Sequence, residues 1–98
     1  MFRIEPFDGW GFAETIDGKL ADPFDAEVTE SEVDFGPNVV GWKARALNGK
    51  YAGCYLELTP RHVERTDVIV LWVFPDQHDR NYLYSGMADT TGLECNWK

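Results

Sequence analysis

Between Asp67 and Pro75 the chain runs Val-Ile-Val-Leu-Trp-Val-Phe, seven successive apolar residues, mostly β-branched or aromatic. A run this short, closed by an aspartate and a proline, reads as a strand buried on both faces. It is too short to cross a bilayer as a helix, which takes about 20 apolar residues. The other segments have to supply its two covers, so they are read first for strands that can lie beside it.

Phe2 and Ile4 alternate with Arg3 and Glu5, which predicts a strand over 2–7. After a turn at Asp8-Gly9, residues 10–16 alternate again, with Trp10, Phe12, Glu14 and Ile16 on one side. Asp17-Gly18 is a two-residue hairpin signal because both positions tolerate positive φ, and 19–21 then makes a short return strand. Residues 22–35 admit two readings. As a helix, Asp22 caps, Pro23 takes the first position, and Phe24, Val28, Ser31 and Phe35 share a face. As strands, Ala26 and Val28 form one apolar set and Val33 and Phe35 another, with a bulge-like slip between Thr29 and Glu30. The Thr, Val and Phe content favours the strand, and Gly36-Pro37-Asn38 then turns the chain.

Asn48-Gly49 lies between two alternating runs and predicts a tight hairpin of 39–47 with 50–58, in which Trp42 faces Tyr55 and Lys43 faces Cys54. The small residues opposite Ala44 and Arg45 suggest that it coils tightly, as at a barrel bend. Thr59-Pro60 can start one helical turn over 61–65. A polar loop over 75–81 leads to a strand over 82–87, a turn at Asp89-Thr90-Thr91-Gly92, and a last strand with Leu93, Cys95 and Trp97 inward. The expected fold is all-β: a small antiparallel meander of about seven strands closed as a barrel or folded as a sandwich, with at most one short helix. At 98 residues one domain, 1–98, is expected.

The candidate chemistries are sparse. Cys54, Cys95, His62 and His78 are the soft metal-ligand candidates, and no pair of them has the two-to-four-residue spacing of a zinc site. Asp76, His78 and Asp79 share one polar loop, where water would reach any imidazole they oriented. A nucleophilic thiol needs an electropositive setting, which this acidic chain supplies poorly. Phosphate-cradling glycine loops and nucleophile elbows are absent from the sequence. A non-enzymatic protein without metal or cofactor is the expectation. Two cysteines are too few for a disulfide scaffold, and the N-terminus, broken by charge and Pro6, does not read as a leader or anchor; a cytoplasmic location is expected.

Charge is the most informative functional feature. The first 37 residues carry ten acids against Arg3 and Lys19, a net of −8, while residues 38–98 carry seven of each sign. Asp22, Asp25, Glu27, Glu30, Glu32 and Asp34 form an acidic ridge without an intervening base. Such a ridge can simply keep an edge strand soluble. It can also steer a basic protein into contact, and it repels nucleic acid and anionic membrane. In size and charge the chain resembles toxin-immunity proteins and phage-encoded inhibitors, whose carboxylates occupy sites that phosphates would. The expectation is an acidic inhibitor docking on a basic nuclease, toxin or nucleic-acid-binding complex through those six acids. The alternative is a barrel that binds a small apolar or aromatic ligand between Trp10, Trp42 and Tyr55.

Overall fold

The computed structural model describes residues 1–9, 11, 13–61 and 66–94. Within them lie seven strands: β1 Phe2–Phe7, β2 Glu14–Thr15, β3 Phe24–Gly36, β4 Val39–Ala46, β5 Tyr55–Pro60, β6 Val68–Phe74 and β7 Tyr84–Thr91. The one helical element among the described residues is a 3₁₀ turn at Gly49–Tyr51. All pairings are antiparallel, in the order β1-β3-β4-β5-β6-β7, and β7 returns to β1 to close a six-stranded barrel. The two residues of β2 add to β7 beyond the end of β1.

Barrels of about eight strands are just wide enough for side chains to fill, so six strands leave a narrow interior. Here it is occupied by Phe24, Ile4, Trp42, Leu56, Leu58, Ile69, Leu71, Val73 and Tyr84, each almost wholly buried. Tyr84 donates its hydroxyl to the Met87 carbonyl at 2.7 Å, and burial pushes its pKa up to about 12, so it stays a neutral donor.

The barrel alters several sequence expectations. β6 has one sealed face, not two: Ile69, Leu71 and Val73 point inward, while Val68, Val70 and Trp72 are half-buried outside. A closed single-layer sheet covers one face only. Of the segment over 22–35, residues from Phe24 onward are strand, and the register with β4 shifts between Val28 and Glu30, as the slip at Thr29 predicted. Further shifts fall at Glu30/Val33 and Asp34/Gly36, and Glu32 takes a positive φ of 54°.

Asn48-Gly49 does not make a two-residue turn. Trp42 pairs with Leu58 and Lys43 with Glu57, three positions from the expected register. An odd slip exchanges the faces of a strand, and this register puts Leu56 and Leu58 into the barrel beside Trp42. The extra residues form the 3₁₀ turn, in which Tyr51 is buried edge-on against Phe24 at 5.9 Å. The Asn48 side chain meanwhile bonds the backbone N–H and carboxylate of Asp25.

The return strand over 19–21 is not formed; Asp17 binds the Lys19 N–H and the Lys50 ammonium instead. The turn expected at 89–92 is mostly strand, because β1 needs those residues to close the barrel, Arg3 facing Thr91 and Glu5 facing Asp89. Thr59 and Pro60 belong to β5, and Leu93 is buried past the end of β7. Residues 62–65, Cys95 and Trp97 lie outside the described residues, and with them most of the expected helical turn and of the last strand.

Candidate functional site

β3 is longer than its neighbour. β1 pairs with it only at residues 24–26, so among the described residues the part beyond Glu27 pairs with β4 alone. β4 in turn meets β5 from Trp42 onward. A two-stranded ribbon therefore runs past the barrel, and it carries half of the acidic ridge, Glu30, Glu32 and Asp34.

The ridge divides in two. Asp25 lies 3.5 Å from Arg3 and is held by Asn48, and Glu27 forms an ion pair with Arg45 across to β4. Glu30, Glu32 and Asp34 are exposed, and none of them has an ion-pair partner among the described residues. Glu30 does sit opposite Lys43 in the ladder, and Asp34 accepts the Gly36 N–H at 3.0 Å. Asp22 is exposed ahead of the strand and unpaired in the same sense. The structure thus groups Glu30, Glu32 and Asp34 on the ribbon and neutralises the two acids nearest the barrel.

The tip of the ribbon lies over the outside of the barrel. A Cβ on Gly41 would sit 1.9 Å from the Leu58 carbonyl oxygen, so only glycine lets β4 approach β5 this closely. The approach brings Phe35 and Val39 over a groove of about 390 Å³. Its remaining lining is Glu57, Thr59, Trp72, Phe74, Arg80 and Tyr82.

In the groove a nearly buried acid is tied down. Glu57, 8% exposed, receives both guanidinium nitrogens of Arg80, at 3.0 and 3.1 Å, and the Tyr55 hydroxyl at 2.8 Å. Burial acts to raise the Glu57 carboxyl, but the hydrogen bonds from Arg80 and Tyr55 outweigh it and hold the group below its ordinary value. Burial and the same carboxylate push the Tyr55 hydroxyl well up, so it remains a donor. Arg80 lies 4.3 Å over the Phe74 ring, which stacks on Tyr55 at 6.0 Å. Asp76 and Asp79 shape the loop that delivers Arg80: Asp76 accepts the N–H groups of His78 and Asp79, and Asp79 that of Asn81.

These carboxylates are engaged with backbone amides rather than with the His78 imidazole. Cys54 precedes β5 and does not face Lys43; burial pushes its thiol up, away from the thiolate. Among the described residues no three potential ligands gather as a metal site. Trp42 and Tyr55 are not brought together: Trp42 is 1% exposed inside the barrel, and Tyr55 packs on the outside with Phe74. Trp10 lies outside the described residues.

The sequence reading missed the groove. Glu57 between Leu56 and Leu58 was the available signal, since two inward leucines force the acid outward, but the slipped register concealed it. Among the described residues, no helix is long and apolar enough to cross a membrane. Set against protein-family models, curated proteins and solved structures, the chain matches none.

Proposed function

We propose that this chain is an acidic, non-enzymatic binding protein that docks on a basic partner protein in the cytoplasm and blocks its activity. The observation that carries the reading is the group of carboxylates Glu30, Glu32 and Asp34, without an ion-pair partner among the described residues, on a ribbon that outruns the barrel. Carboxylates that no cation of the described residues pairs keep their field for an incoming cation, and steering of this kind raises association rates and rejects anionic competitors. A basic nuclease, toxin or nucleic-acid-binding complex has the complementary charge, and the carboxylates would take the places of phosphates on it. Asp25 and Glu27 contribute less, because Arg3 and Arg45 already offset them. Asp22 adds to the field from the strand's entry.

The test is affinity capture from the source cell or its natural competitor with three baits: native, E30K/E32K/D34K, and D25N/E27Q. A basic protein held by the native and D25N/E27Q baits and lost by the triple variant supports the reading. Equal recovery on all three places the contact elsewhere.

A further inference from the structure

The groove beside the ribbon tip is lined by aromatic and aliphatic side chains together with the Glu57–Arg80 ion pair. Val39 and Tyr82 are each 41% exposed, and Phe35, Trp72 and Phe74 line the space between them. Arg80 completes it as a planar group whose charge Glu57 offsets and whose face rests on Phe74. At about 390 Å³ the groove stands near the lower bound of sites that enclose a small molecule, about 300 Å³. It has room for one aromatic side chain, and planar groups stack well against aromatic faces and a guanidinium.

The surroundings specify what flanks that ring. Glu32 and Asp34 stand on the strand that leads into Phe35, and across the groove Glu14 accepts the Tyr82 hydroxyl. The acidic ribbon on one side of the groove and Glu14 on the other give this end of the molecule a negative field, which favours a cationic partner. Aromatic anchors surrounded by a charged rim are where binding energy concentrates in interfaces. The geometry points to a partner that presents an aromatic side chain flanked by arginine or lysine, the ring seated between Val39 and Arg80 and its basic neighbours on the ribbon carboxylates. This rests on the docking reading above and names the element that the site reads.

The experiment is a titration of the ¹⁵N-labelled protein, followed by amide and indole shifts, with four probes. They are a Lys/Arg peptide with a central tryptophan, the same peptide with glycine there, the tryptophan peptide with glutamates for its bases, and free indole. The basic tryptophan peptide is expected to move the Trp72 indole and the Val39 and Thr59 amides together with those of Glu30, Glu32 and Asp34. The glycine peptide should bind about tenfold more weakly and move only the ribbon amides. V39R, at an exposed position that leaves the barrel interior untouched, should reduce the tryptophan peptide to the glycine peptide's affinity. Equal binding of both basic peptides overturns the aromatic anchor and leaves the docking reading standing. Ribbon amides that stay still with every basic peptide overturn both. Indole or the acidic peptide matching the basic tryptophan peptide would assign the groove to an uncharged aromatic ligand and also overturn the inference.

Discussion

In β6 every second residue is sealed from water, whereas in β3 five successive residues, 28–32, are exposed. The barrel body keeps strict alternation because one face of each strand must fill a narrow interior. The ribbon has no such interior. Its register shifts three times, Glu32, Gly36 and Asn38 take positive φ, and its carboxylates find few partners among the described residues. The difference separates two requirements along one chain: burial fixes the body, and the ribbon is free to be selected for what it meets. Bulges and acids on the open edge also keep a second strand from adding there, so solubility and docking ask for the same residues.

The contrast can be broken most sharply in the body. L71A, at a wholly buried position of β6, should lower stability by roughly 2–5 kcal/mol in chemical denaturation. A loss under about 1 kcal/mol would mean that the barrel is not where stability resides. G41A tests the hinge between the regions. Its Cβ meets the Leu58 carbonyl, so the ribbon must lift from β5, at a cost of roughly 1–3 kcal/mol and with greater solvent access to Trp72. Unchanged Trp72 fluorescence and stability would remove the close approach from the account.

A smaller effect is expected from E57Q, about 1 kcal/mol at neutral pH, because the Arg80 side of the pair is well exposed. Its signature is pH dependence. A carboxyl held below its ordinary value of 4.5 stabilises the fold above that pH. The contribution is lost as pH falls through the lowered folded value. The native protein should therefore weaken between pH 4.5 and that value, and E57Q should lack this part of the acid limb. Parallel acid limbs would deny Glu57 its ionised partnership with Arg80. Least affected should be E30K/E32K/D34K, whose stability should fall by no more than about 1 kcal/mol, since these charges are exposed and the hydrogen bond given up is the one from the Gly36 N–H to Asp34.

Much of the body was legible. Alternation at Phe2/Ile4 and the run over 68–74 fixed two strands correctly, and the slip at Thr29 announced the ribbon's first bulge. What stayed hidden depends on contacts between distant segments. Asn48-Gly49 carries a strong local hairpin signal, yet the Asp25 contacts and the burial of Tyr51 and Leu56 favour a longer connection. Thr90 and Thr91 carry turn chemistry, but closing the barrel against Arg3 and Ile4 uses them as strand. Of the site, the acids were visible as composition. Their division into paired and unpaired sets depends on Arg3 and Arg45, and the groove depends on Gly41, whose close approach to Leu58 no local pattern encodes.

The measurement that tests the central claim most directly is the association rate of the captured basic partner with the native protein and with E30K/E32K/D34K, across a range of ionic strength and alongside their unfolding midpoints. The account predicts closely similar midpoints, a native rate that falls steeply with salt, and a variant rate that is slow at low salt and nearly flat. Superimposable salt profiles for the two proteins would contradict it.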